Sequence, residues 1–162
     1  MTRVLFVCMG NICRSPTAEA VFRHATKQAG LEGAIVCDSA GTHGYHIGEP
    51  PDQRAQQAAL RRGYDMSQLR ARQVSANDFE QFDFVLAMDR HNLAMLGRMC
   101  PQQQAHKLSL YCDFHAQFVG QEVPDPYYGG AKSFEQVLDM IEAISSSLIV
   151  RLNRGQNDAG VH

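Results

Sequence analysis

No tryptophan occurs in the 162 residues, no cysteines stand in a C-x-x-C pair, and neither sign of charge dominates. The charge balance excludes most. Fifteen Lys and Arg against seventeen Asp and Glu leave a net charge of −2. Broad electrostatic binding to nucleic acid or to an anionic membrane surface is therefore not expected. No apolar run approaches the ~20 residues of a membrane span. Met1-Thr2-Arg3 leads directly into an apolar run, leaving no room for a signal peptide, and a cytoplasmic location is expected. The five cysteines, Cys8, Cys13, Cys37, Cys100 and Cys112, are an odd number, which argues against a disulfide framework. Cys112-x-x-His115 comes nearest to a metal-ligand pair, and two ligands do not make a site. No metal and no cofactor is expected. The absence of a G-x4-G-K-[ST] motif excludes a nucleotide-binding loop of that type.

What is present reads as alternating strands and helices. Val4-Leu5-Phe6-Val7 is a buried-strand run ending at Cys8. Ser15 offers a helix N-cap and Pro16 a first helical residue. Thr17 to Ala29 carries Ala18, Val21, Phe22 and Ala25 on one face, and Gly30 stops it. Ala34 to Cys37 is a second strand, with Asp38 to Thr42 as a turn-rich exit. Helices are expected over Gln53–Arg62 and Asn92–Met99, and strands over Phe82–Met88 and Lys107–Tyr111. Asp89, following a strand, is placed either to brace neighbouring loops or to cap the next helix. From Ser133 to Asn153, Phe134, Val137, Leu138, Ile141, Ile144 and Leu148 keep helical spacing behind a Ser133-x-x-Gln136 capping box. The expected fold class is α/β, a single-domain three-layer sandwich with a four-stranded parallel sheet and helices on both faces. Its domain spans residues 1–154, and residues 155–162 form a flexible polar tail.

The chemistry concentrates between the first strand and the first helix, in Cys8-Met9-Gly10-Asn11-Ile12-Cys13-Arg14-Ser15. Backbone N–H groups in such a turn form an anion-binding nest, and a helix N-terminus adds partial positive charge. Gly10 and Asn11 tolerate the left-handed backbone that a nest needs. Arg14 supplies a planar fork for two phosphate oxygens. That field favours the thiolate form of a cysteine. The loop is therefore suited to hold a tetrahedral oxyanion over Cys8, the arrangement for phosphoryl transfer to sulfur.

This C-x5-R followed by Ser, with GNICRSP inside it, resembles the signature of the low-molecular-weight protein tyrosine phosphatases. DSAGT (38–42), ARQ (71–73) and LAMD (86–89) extend the resemblance, which covers roughly residues 3 to 150. It implies a metal-independent hydrolase acting on phosphotyrosine through a phosphocysteine on Cys8. Met9, Gly10, Asn11, Ile12, Cys13 and Arg14 would bind phosphate or shape the loop. Ser39 would hydrogen-bond Asn11, Ser15 would donate to the sulfur, and Tyr45 would form an aromatic wall of the cleft.

The leaving phenoxide needs a proton that Cys8 and Arg14 cannot usefully give. Val123-Pro124-Asp125-Pro126-Tyr127-Tyr128-Gly129-Gly130 offers a carboxylic acid held between two prolines. DPYYGG resembles the general-acid loop of the same family. The resemblance makes Asp125 the acid and then the base that activates water. Tyr127 and Tyr128 would line the cleft mouth and are candidate phosphorylation sites. Cys13, close to Cys8, suggests reversible shut-off through a Cys8–Cys13 disulfide. Expected partners are phosphotyrosine-containing proteins, with a cognate tyrosine kinase or host proteins left open, and a monomer is expected. Two rivals remain at this point. An arsenate reductase on the same scaffold would need two close resolving cysteines, which Cys100 and Cys112 do not match. A non-catalytic phosphotyrosine-binding module would usually have lost the nucleophile or the acid.

Overall fold

The first strand is apolar on both faces, which places it inside a sheet rather than at an edge. The structure, a computed structural model, describes residues 1–160 and the side chains of residues 1–155. Strand β1 (Thr2–Cys8) lies between β2 (Ile35–Gly41) and β3 (Phe84–Ala87), and β4 (Leu108–Leu110) closes the order β2-β1-β3-β4. All three pairings are parallel. Val4 and Phe6 point into one core with α1 (Arg14–Gln28), α2 (Gln53–Arg61) and α5 (Ala131–Gly160). Leu5 and Val7 point into a second core with the short α3 (Asp78–Gln81) and α4 (Arg90–Met99). The result is the three-layer α/β sandwich expected from the sequence, with its four-stranded parallel sheet.

In the larger core, Phe6 meets Phe22 and Tyr111 edge-on at 5.4 and 5.5 Å between ring centroids. The Tyr111 hydroxyl donates to Ile141 O at 3.0 Å and pairs with Ser145 Oγ at 2.8 Å, so this buried phenol has polar partners on α5. Helix α5 thereby fixes the face of the sheet from which α1 and the loop before it emerge.

Several boundaries differ from the sequence reading. Strand β2 continues to Gly41, where an exit turn was expected, because Asp38 to Gly41 pair in register with Leu5 to Cys8. Beyond the strand, Thr42 N–H and His43 N–H donate to Cys8 O and Met9 O at 2.9 and 3.0 Å. A Cβ on Gly41 would lie 2.7 Å from Met9 O, so only glycine permits this approach. Helix α1 starts at Arg14 with Cys13 at its N-cap and no side-chain cap, so Ser15 is not the capping residue. Helix α5 starts at Ala131, which places Ser133 inside the helix rather than at a capping box. Its backbone continues to Gly160. The expected tail, residues 155–162, lies outside the described residues from 161, and its side chains do so from 156. Strands β3 and β4 are shorter than expected because pairing ends at Ala87 and Leu110.

Candidate active site

The loop from Cys8 to Ser15 leaves the carboxyl end of β1 at the point where the neighbouring strands β2 and β3 lie on either side. Crevices at this edge of parallel sheets are where such folds bind ligands. An open cleft of ≈ 240 Å³ is lined by Cys8, Met9, Gly10, Ile12, Cys13, Arg14, Tyr45, His46, Asp125, Tyr127 and Tyr128. The structure thus brings the expected loop, acid and aromatic residues to one cavity.

Asn11 is the non-glycine residue with a left-handed backbone among those described (φ 58°). Its amide accounts for that strained position. Oδ1 accepts from Arg72 N–H at 2.9 Å, while Nδ2 donates to Ser15 Oγ at 2.8 Å and Ser39 Oγ at 3.0 Å. Gly10, expected to share the left-handed turn, has no positive φ. Its lack of a side chain serves space instead, since a Cβ there would meet the His46 ring at 3.0 Å.

Cys8 is 3 % exposed, at the cleft floor, and Ser15 Oγ lies 3.0 Å from its Sγ. Arg14, also 3 % exposed, is held from two sides. Its Nη1 donates to Asp89 Oδ2 at 2.7 Å and to Val123 O at 3.0 Å. Burial alone would lower the guanidinium pKa, but Cys8, Asp89 and Asp125 outweigh it and raise the value. Asp89 resolves the choice left by the sequence by doing both jobs. Oδ2 holds Arg14, and Oδ1 accepts from Asn92 N–H at 2.8 Å as the N-cap of α4.

Asp125 faces the same guanidinium, with Oδ2 3.7 Å from Arg14 Nη2. Its other oxygen accepts from Tyr127 N–H at 3.0 Å, turning the loop so that the carboxylate points inward. Tyr127 is 37 % and Tyr128 90 % exposed, and their rings meet edge-on at 5.0 Å. Arg54 lies over Tyr127, 5.4 Å from the ring centroid, and pairs with Asp52, whose N–H donates to Ile12 O. Tyr45, which also lines the cleft, stacks on His43 with ring centroids 5.2 Å apart.

Cys13 lines the cleft with Cys8. Burial, then the negative charges of Asp52, Cys8 and Asp125, push its thiol up. Cys112 is fully buried and Cys100 ends α4, and neither lines the cleft. Among the described residues, no three His, Cys, Asp or Glu side chains are grouped to hold a metal ion, and no helix is long and apolar enough to cross a membrane.

Two residues of the site were not singled out in the sequence. His46 sits against Gly10 with its Nδ1 2.8 Å from Glu49 Oε2, and nothing in its loop spacing marked it. Glu19, 4 % exposed, accepts from Ser39 Oγ at 2.6 Å. Its signal was a charge among the inward positions of α1, beside Ala18, Val21 and Phe22.

The chain matches the model of the family described as low molecular weight phosphotyrosine protein phosphatase over residues 3–158. It is 41 % identical over 154 residues to low molecular weight protein-tyrosine-phosphatase YfkJ of Bacillus subtilis, covering 95 % of this chain and 97 % of that protein. Identity to the human low molecular weight phosphotyrosine protein phosphatase is 44 % over 138 residues, covering 83 % and 85 %. A crystal structure of protein tyrosine phosphatase from Entamoeba histolytica, with Hepes in its active site, superposes with a TM-score of 0.92 at 42 % identity, covering 96 % and 99 %. On the strength of a match that spans nearly its whole length, this chain belongs to the low molecular weight phosphotyrosine protein phosphatase family.

Proposed function

We propose that the chain hydrolyses phosphotyrosine on protein substrates in two displacements at Cys8, without a metal. The observation that carries this reading is that Arg14, locked by Asp89 and Val123 O, lines the same cleft as Cys8 with its second nitrogen 3.7 Å from Asp125 Oδ2. A phosphate on the loop amides and Arg14 would set phosphorus over Sγ and the ester oxygen toward Asp125. In the first step the sulfur forms the S–P bond, the P–O bond breaks, and Asp125 gives its proton to the leaving phenoxide. In the second, Asp125 takes a proton from water, the water oxygen bonds phosphorus, and the electron pair of the S–P bond returns to sulfur. Ser15 donates to that sulfur as its charge develops.

Tyr45, Tyr127 and Tyr128, which line the one cleft, suit a flat aryl ring, which favours phosphotyrosine over aliphatic phosphates. The exposed hydroxyls of Tyr127 and Tyr128 are also available to a cognate tyrosine kinase, and the enzyme acts as a monomer. A reductase reading lacks a second resolving cysteine at the cleft, because Cys8 and Cys13 are the two that line it.

The test is Asp125→Asn with a series of aryl phosphates whose phenols differ in acidity. The expected result, read in kcat/KM so that only the step releasing the phenol counts, is a loss of about 10²–10⁴-fold for poor leaving groups and a much smaller loss for acidic nitrophenols, which leave without a proton. Equal losses across the series would remove Asp125 from the acid role.

A further inference from the structure

Glu19 is a buried carboxylate that takes no part in the steps above, yet it ends a continuous relay of hydrogen bonds to the nucleophile. The direction of each bond follows from what each atom is able to do. Arg72 N–H is a donor only, so Asn11 Oδ1 is the acceptor and Nδ2 carries the two N–H groups. These go to Ser15 Oγ and Ser39 Oγ, which accept. Each hydroxyl then has its own proton to place. Ser39 donates to Glu19 Oε1 at 2.6 Å. Ser15 has Cys8 Sγ at 3.0 Å and, more weakly, Ala40 O at 3.4 Å.

We infer that Glu19 is a positioning residue that, by accepting the Ser39 proton, keeps the Asn11 amide donating to Ser15 and the Ser15 hydroxyl donating to the Cys8 sulfur. The inference rests on the phosphocysteine reading. Its consequence falls on the second step, when the S–P bond breaks and the electron pair returns to sulfur. A hydroxyl already aimed at that atom stabilises the departing thiolate without reorganising.

Arg23 makes the carboxylate specific for this task. Its Nη2 donates to Glu19 Oε2 at 2.6 Å, on the side away from Ser39. Burial raises the pKa of Glu19, and the bonds from Ser39 and Arg23 oppose that rise by favouring the ionised form. A glutamine at this position would turn its oxygen to the guanidinium and present its NH₂ to Ser39. The Ser39 proton would then compete with Asn11 Nδ2, and the relay would lose its direction at that point. Arg23 is over half exposed, so its removal is tolerable.

The experiment is rapid-quench kinetics with an aryl phosphate, following the phenolate burst for step one and the decay of labelled phosphoenzyme for step two. Wild type must first give a burst that Cys8→Ser abolishes. Wild-type turnover that persists in Cys8→Ser, or that passes through no trappable labelled phosphoenzyme, would sink the phosphocysteine reading itself, before any Glu19 variant is made. Given the burst, E19Q is expected to slow phosphoenzyme decay about tenfold, the loss of a charge-assisted hydrogen bond, with the burst rate little changed. Ser39→Ala, which cuts the relay while leaving Glu19 on Arg23, should give the same pattern. In a Ser15→Ala background E19Q should add nothing further, since both act through one hydroxyl. The double variant E19Q with Arg23→Met should recover decay, because the glutamine oxygen is free to turn back to Ser39. Wild-type decay in both E19Q and Ser39→Ala, or an undiminished E19Q effect without Ser15, would overturn the inference.

Discussion

Asp89 joins the end of the third strand to the cleft that holds Cys8, with one carboxylate oxygen 2.7 Å from Arg14 Nη1 and the other capping α4 through Asn92 N–H. The two roles are separable by substitution. Asn caps a helix about as well as Asp but brings no charge to the guanidinium. Asp89→Asn keeps the cap but turns its NH₂ on the Arg14 N–H, so it should lose some stability while KM for an aryl phosphate rises about tenfold or more. Asp89→Ala should show the same kinetic loss and a further destabilisation of about 1 kcal/mol. Steady-state kinetics beside urea unfolding of the two variants checks this.

Asn11 combines a left-handed backbone with three side-chain hydrogen bonds. Glycine keeps the backbone and loses the bonds, whereas alanine loses both. Asn11→Gly and Asn11→Ala should be alike in losing most activity. In unfolding experiments the alanine variant should be the less stable by about 1–2 kcal/mol, the cost of a left-handed Cβ.

The Cys13 thiol is pushed up chiefly by burial, with Asp52, Cys8 and Asp125 adding to it. As the proposed trap for an oxidised Cys8, it must lose its proton before attacking. Below its raised pKa the thiolate fraction grows about tenfold per pH unit. Closure of a Cys8–Cys13 disulfide after peroxide treatment should accordingly speed up as pH rises. Peptide mass spectrometry should find that disulfide, with activity restored by a dithiol, and Cys13→Ser should instead proceed to irreversible oxidation. Exclusive sulfinic acid on Cys8 in the wild type would rule the trap out.

The relation of these features to the sequence depends on how local each is. Val4 to Val7 announced a central strand because burial on both faces leaves no alternation, and α5 announced itself by six apolar residues at helical spacing. The C-x5-R loop and the Asp125 segment were readable as motifs, and both line the cleft. Pairing partners were less legible. The segment Asp38–Gly41 has turn-forming composition, yet it is strand because β1 supplies its register. Ser15 has the composition of a cap, but Asn11 and Cys8 engage its hydroxyl. Gly10 and Asn11 looked equivalent, and only the long-range bond from Arg72 picks Asn11 for the left-handed position. Glu19 and His46 acquire meaning from neighbours 20 and 36 residues away in the chain, Ser39 and Gly10, which no local pattern reveals.

The most direct test of the account is to quench the wild-type protein in alkali, where an S–P bond survives, during turnover of an aryl phosphate with a metal chelator present. The peptide containing Cys8 is then analysed by mass spectrometry. The prediction is one phosphoryl group on Cys8 with turnover unaffected by the chelator, and neither the adduct nor turnover in Cys8→Ser. Turnover that survives in Cys8→Ser, or wild-type turnover with the phosphoryl group on another residue, would contradict it.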